Sequence, residues 1–486
     1  MRHPHPFRRW VVSTLAALLF FAAPGRVGGD EGDEDDPPAA PPGMEDGAMG
    51  DGAMDDGDEG DPDDPDKEDV PFSKEVNLAI LKGAQWLQKK QRADGSWGPL
   101  DVSGGAVYGG GQGKPYDHPA GLTGLALYAL LKSDVPADSA SIKKGFAWLQ
   151  KTWPRPQGSY ELSVVLLAVC ATADPLKKTA ASDAVKDKIR ARLSGPMRKW
   201  AQELVETLVK KHVGRRGWRY QLSAGTGKVT EKEPNGSEDS SSTQLAALAL
   251  FAADRCGVTA PSPLWVDVLR FAIDQQEDDG PEVVRWAPTP DAPAKPDSPY
   301  APAAPPKKEG PIKDKARGFT YIKKSPDPEE ARVTGSMTGC GLATVCIARF
   351  VLELRKDKGW KKDGYDQTVQ KAVYDALAWI DLNWSPFDNV GKGGYHTYWL
   401  YGVERSMDLI GLKLIGKHQW YMEGAKQLVG RQNAEKGFWD TKSTHNPSDV
   451  IDTCFALLFL KRSTKGVIPF PDITGGSDEP IDNRGK

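Results

Sequence analysis

The sequence predicts an all-α protein, an (α/α)6 toroid in which six inner and six outer helices form a double ring. Three observations predict it. Apolar residues recur with a period of about 3.6 across residues 71–465, amphipathic helices alternate with wholly apolar ones, and one short motif returns between them.

The chain opens with Arg2, Arg8 and Arg9 before an apolar run at 10–23, followed by small residues. That is the pattern of a signal peptide over residues 1–29, and export to the periplasm or beyond is expected. The run is shorter than the roughly 20 residues a membrane span needs. Residues 30–70 hold 19 Asp or Glu against one base, Lys67, and are expected to be a disordered linker. This linker hides the charge of the rest, where 58 Lys and Arg face 48 Asp and Glu, a net +10. A basic body on an acidic leash fits self-contact, anionic partners or plain solubility. No nucleic-acid partner is indicated, and peripheral contact with a membrane is compatible with the composition. Five cysteines (Cys170, Cys256, Cys340, Cys346 and Cys454) lie in apolar stretches without regular spacing. They are expected to be buried free thiols rather than a disulfide framework.

From residue 71 the helices come in pairs. Residues 74–91 put Val76, Ile80, Gly83 and Leu87 on one face and Lys and Gln on the other. Residues 121–131 are apolar on every side, so that helix must be covered all round. Amphipathic segments recur at 140–151, 197–213, 264–277, 366–383 and 418–432. More apolar ones follow at 160–173, 241–255, 336–354, 397–414 and 451–462. The amphipathic helices are the outer ring and the apolar ones the inner. Residues 287–317, rich in Pro, Ala and Lys, interrupt the fourth pair as an insertion loop, and 466–486 form a tail. The pattern alone also fits an open α-solenoid.

The motif between helices favours closure. Lys82-Gly83-Ala84-Gln85-Trp86-Leu87, then Gln91, then Gly95-Ser96-Trp97, resembles the QW repeat of squalene cyclases at every defining position. Weaker copies are Lys144-Gly145, Trp148-Leu149 and Gly158-Ser159-Tyr160, and Gly424, Leu428, Gln432 and Gly437-Phe438-Trp439. Fragments remain at Gly217-Trp218-Arg219-Tyr220 and Gly318-Phe319-Thr320-Tyr321. The expected role is structural: Gly ends the outer helix, the aromatic covers the turn, and Gln bonds unsatisfied groups at the next helix end.

Parallel inner helices would gather their N-termini and long preceding loops (98–119, 217–240, 277–335, 384–396 and 437–450) at one mouth. Asp117, His118, Trp218, Tyr220, Glu238, Asp239, Tyr395, His396, Tyr398, Asp449 and Asp452 belong there, an aromatic-rich rim suited to a ligand.

The resemblance to squalene cyclases implies a proton-donating Asp in a motif opening an inner helix. The matching stretch is Asp239-Ser240-Ser241-Ser242-Thr243-Gln244, with Ser241 in the donor's place. A hydroxyl is no acid for an alkene, so proton-initiated cyclisation is not expected. The resemblance to protein prenyltransferases implies zinc on an Asp-x-Cys and a His. Asp452-Thr453-Cys454 and Tyr395-His396-Thr397-Tyr398 offer Asp452, Cys454 and His396, in reversed order. Gly339-Cys340-Gly341 resembles a thioester motif but has Ala343 where Gln is needed. The resemblance therefore implies an isoprenoid or other apolar ligand inside the barrel. Two rivals stay open. One is a polysaccharide-active enzyme using Asp239 with Asp452 as its carboxylate pair, the other a scaffold whose barrel is filled by side chains.

Overall fold

A computed structural model describes residues 70–98, 119–152, 156, 158–175, 191–212, 215–219, 238–285, 313–441 and 448–462. The expected signal peptide, the linker up to residue 69, the 466–486 tail and most of the 287–317 loop lie outside the described residues.

In chain order the helices are α1 (Val70–Lys89), α2 (Pro119–Lys132), α3 (Ala140–Thr152), α4 (Ser159–Ala171), α5 (Gly195–His212), α6 (Ser240–Arg255) and α7 (Ser262–Asp274). They continue as the one-turn α8 (Pro328–Ala331), then α9 (Gly335–Leu354), α10 (Tyr365–Leu382), α11 (His396–Ile410), α12 (Trp420–Arg431) and α13 (Ser448–Leu460). Two antiparallel ribbons pair β1 (Asp174–Pro175) with β2 (Ala191–Arg192) and β3 (Glu282–Val284) with β4 (Lys313–Lys315). The β3–β4 ribbon is the stem of the insertion.

The apolar helices form a ring. α2 packs on α4, α4 on α6, α6 on α9, α9 on α11, α11 on α13, and α13 returns to α2. That last contact excludes an open solenoid. Outside lie α1, α3, α5, α7, α10 and α12, with α1 packed on α2, α12 and α13. Helix α6 is buried along its entire length, as is α11, so each is covered on every side. Helix α9 is apolar and long enough to cross a membrane, yet it is enclosed by its neighbours. Outer helices keep the expected split: on α1, Leu87 is fully buried while Lys74, Lys82 and Gln85 are exposed.

The repeat motif is what fastens one pair to the next. Gln91 donates to the Gly95 carbonyl of its own turn at 2.9 Å and to the Ser141 carbonyl of α3 at 2.8 Å. Gln432 does the same with Gly437 and with Ala79 of α1, both at 2.8 Å, and so ties the last repeat to the first. Trp97, Trp218 and Trp439 donate their indole N–H to Leu87, Leu208 and Leu428 carbonyls near the ends of their outer helices. These bonds occupy carbonyls that a helix end leaves without an internal partner or only weakly held. A threonine of the following inner helix (Thr123, Thr243 or Thr453) accepts the backbone N–H of the same tryptophan.

The structure corrects the expected role of glycine. Gly83 does not end α1 but lies inside it, where a Cβ would sit 2.6 Å from the Trp439 ring. Gly145 in α3 faces Trp97 in the same way, at 3.1 Å. The turns use other glycines, Gly95 and Gly437, with φ of 98° and 83°. A further staple escapes local reading. Gln276 bonds the Arg317 carbonyl at 3.1 Å and the Ala372 carbonyl of α10 at 2.9 Å. Phe319 then bonds Thr338, so residues 277–317 are inserted inside a motif rather than beside one.

Glycine inside a helix ordinarily costs stability relative to alanine. Gly83→Ala should nevertheless destabilise the protein by about 1–3 kcal/mol, because the methyl overpacks against Trp439. Gly430→Ala, on the open face of α12 with nothing within 4 Å, should stabilise by about 0.5–1 kcal/mol. Urea unfolding midpoints of the two variants should move in opposite directions. A shift in the same direction would contradict the packing.

Candidate functional site

First-turn residues of different inner helices touch one another, so these helices run parallel and open at one mouth. Tyr160 of α4 meets Ser241 of α6, Ser241 meets Tyr398 of α11, and Thr397 of α11 meets Asp452 of α13. At the opposite end Arg355, after α9, pairs with Asp254 near the end of α6 at 2.6 Å. The expected gathering of N-termini is what the described residues display.

The individual candidates divide sharply. Trp218 is fully buried in a motif staple and does not face the barrel. Asp239 caps α6: its Oδ1 accepts from the Ser242 amide at 2.6 Å and its Oδ2 from the Ser242 hydroxyl at 2.8 Å. Asp452 accepts from Thr397 at 2.6 Å and from the amide and hydroxyl of Thr441 at 2.9 and 2.8 Å. Burial raises its pKa against those three donors. Both carboxylates are thus engaged in helix-end bonds, and neither favours the polysaccharide reading. Asp117, His118 and Tyr220 lie outside the described residues.

His396 turns away from the barrel. Its Nε2 donates to the Pro386 carbonyl at 2.7 Å, and Arg431 of α12 reaches its Nδ1 at 3.3 Å. Burial lowers its pKa and keeps the ring neutral. The loop it holds borders an outer-surface concavity of about 400 Å³ between Trp384, Phe387, His418 and Lys426. Cys454 is fully buried, and burial with the charges of Asp449 and Asp452 pushes its thiol far up. Zinc needs a free imidazole nitrogen, and both ring nitrogens of His396 face other partners. The expected set of His396, Asp452 and Cys454 is not brought together, and among the described residues no group of three such side chains could hold a metal.

What does line the barrel is a chain of neutral hydrogen-bonding groups. Tyr160 donates to Ser241 at 2.5 Å, Ser241 and Tyr398 share a bond of 2.8 Å, and Tyr398 and Cys340 of α9 one of 3.1 Å. The Cys340 thiol then points at Gln244 Oε1, 3.7 Å away, and accepts from Arg405 Nη2 at 3.9 Å. Burial, with Asp239 next, holds the Tyr160 phenol well above its usual range, and burial with Cys340 does so for Tyr398. Burial likewise raises the Cys340 thiol.

An aromatic wall stands beside this chain. Tyr398 and Tyr401 pack on Phe455 of α13 with ring centroids 5.1 and 5.6 Å apart, and Met337, Tyr395 and Tyr321 complete the cluster near the mouth. Tyr160, Tyr321 and Phe455 keep partial exposure although Tyr160 and Tyr321 are surrounded by protein. These three rings keep accessible surface beside the buried Tyr398 and Tyr401. Tyr395 and Tyr398 were legible as rim residues. Tyr160, Gln244, Cys340, Tyr401, Phe455 and Arg405 were missed. The spacing Tyr398, Tyr401, Arg405 on one helical face was the available signal.

No family model matches the sequence, and no curated protein does. Solved structures of the type II terpene cyclase MstE from Scytonema are similar in fold. One complex, with geranylgeranyl dihydroxybenzoate as substrate, is 11% identical and covers 82% of this chain and all of that one, with a TM-score of 0.44. A second, with merosterolic acid A as product, is 10% identical over the same shares, with a TM-score of 0.43. At this level of likeness the toroid rests on its own ring of contacts.

The buried thiols give a pH prediction. Burial pushes Cys346 up to about 12 from 9.0, so its proton stays on in the fold after the unfolded chain has lost it. Stability from this group is complete below pH 9 and is lost as pH rises towards 12. Thermal midpoints should fall over that window, and Cys346→Ala, whatever its own cost, should fall less steeply. At pH 8 a thiol reagent followed by peptide mapping should leave native Cys346 and Cys454 unmodified. Prompt labelling of either would contradict their burial.

Proposed function

We propose that this protein is an exported terpene-cyclase-like toroid that binds an isoprenoid or other elongated apolar ligand in its barrel and does not cyclise it by proton donation. The observation that carries the reading is an aromatic wall in which Tyr160, Tyr321 and Phe455 keep accessible surface beside the buried Tyr398 and Tyr401. Aromatic side chains lining a deep concavity with a few convergent polar groups are what an apolar ligand requires. The scaffold reading needs a barrel filled by its own side chains, and the exposure kept by Tyr160, Tyr321 and Phe455 disfavours it.

The polar chain argues against acid chemistry. Ser241 occupies the place of a donor acid, and its hydroxyl is bonded between two phenols. Phenols held above their usual range are poor acids for an alkene. Export is supported by the basic and apolar opening of the chain and by the acidic stretch that follows it.

One preparation tests the reading. Protein recovered outside the cytoplasm should begin near residues 24–30 on N-terminal sequencing. Its native mass spectrum should carry an organic adduct that solvent extraction returns as an apolar molecule, and incubation with squalene should yield no cyclic triterpene. A retained Met1 would sink the export claim. Adduct-free protein that binds no isoprenoid added at high concentration would sink the ligand claim.

A further inference from the structure

The most unusual group in the barrel is Arg405. It lies about 13 Å along α11 from the first residue of that helix, fully buried. Long helical side chains lean toward the helix N-terminus, so the guanidinium reaches back toward the mouth. It lies over the Tyr401 ring at 4.0 Å and the Tyr398 ring at 5.7 Å. Among the described residues Nη2 reaches the Cys340 sulfur at 3.9 Å, while Nε and Nη1 have no acceptor. Gln244 Nε2, fully buried on α6, also has none.

Half-buried guanidinium groups elsewhere in the chain meet carboxylates: Arg355 pairs with Asp254 at 2.6 Å, Arg317 with Asp375 at 2.7 Å, Arg285 with Asp314 at 2.6 Å, and Arg462 with Asp408. Among the described residues no carboxylate lies within ion-pair distance of Arg405. A cation removed from water without a partner is costly and calls for a compensating anion.

We infer that the barrel's ligand carries a carboxylate, seated deep in the chamber against Arg405 and Gln244 Nε2, with its apolar tail running along Phe455 toward the mouth. This rests on the reading of the barrel as an apolar-ligand site and names the head that such a ligand bears. One guanidinium balances one negative charge. A diphosphate would bring an excess of charge into a site whose other groups are neutral phenols, an amide and a thiol, with no second cation touching them. The phenols are held in their neutral form, so their hydroxyls remain donors and add no competing charge.

Calorimetric titration of the full chain at pH 7.5 with farnesoic acid, farnesol and farnesyl diphosphate tests this. The acid should bind at least about tenfold more tightly than the alcohol, a difference of about 1.4 kcal/mol, and more tightly than the diphosphate. Arg405→Met should bring the acid down to the level of the alcohol while leaving the alcohol unchanged, and Gln244→Met should narrow the gap. Free of ligand, Arg405→Met should also melt higher than the parent, because it removes an unpaired buried charge; a structural cation would act in the opposite sense. Equal binding of acid and alcohol by the unaltered protein would overturn the carboxylate while keeping the apolar site, and needs no variant. The diphosphate binding best would overturn the choice of a single charge. Binding of none of the three would overturn both this proposal and the apolar-ligand reading.

Discussion

The contact between the last repeat and the first is the constraint on which the rest depends. Helix α13 packs on α2, Gln432 bonds Ala79 of α1, and the Trp439 ring lies on Gly83. Each of these uses the device that joins neighbouring repeats elsewhere, so closure asks for no special chemistry. It needs only that the sixth turn meet the first helix at the same angle as the others. Surface ion pairs across the seam, Lys90 with Asp449 and Lys461 with Asp134, add little by comparison. The glutamine and the tryptophan hold the ring.

Closure also explains the interior. Six parallel inner helices enclose one space, and side chains a third of the sequence apart become hydrogen-bonded neighbours across it, as Ser241 and Tyr398 are. Carboxylates near the mouth are spent on helix ends. Asp239 caps α6 and Asp452 ties α13 to Thr397 and Thr441. What remains facing inward among the described residues is a neutral polar chain, an aromatic wall and the Arg405 guanidinium.

The fold was legible because its cause is local. Amphipathic and apolar helices announce themselves by period, and the twelve helices lie within a few residues of the positions that period assigned. The staple of Gln91, Gly95 and Trp97 is contiguous and was equally plain. Gln276 was not, because residues 277–317 separate it from Gly318 and Phe319, and only the folded turn restores the pairing. Glycine was misassigned for a related reason: Gly83 answers to Trp439, more than 350 residues away, not to its own helix end. Site residues fared worse. His396 and Cys454 were singled out by residue type, but type does not say which way a side chain turns, and His396 turns outward to Pro386 and Arg431. Arg405 was overlooked as one charge in a helix with mixed composition, although an arginine on the same face as Tyr398 and Tyr401 was a sign of the interior.

The most direct test of closure is the distance between Lys82, exposed on α1, and Lys436, exposed in the turn after α12. A Cβ built on Gly437 would lie 3.0 Å from the Lys82 backbone, so spin labels at the two lysine positions should give one narrow distance peak. Helix neighbours stand about 8–10 Å apart, so that peak should fall below roughly 25 Å once label length is included. Five successive pair-to-pair steps of the same spacing would carry an open solenoid to roughly 40–50 Å. A single short distance that persists in dilute solution is the predicted result. A broad distribution centred beyond about 40 Å would contradict the closed ring, and with it the chamber and everything argued from its interior.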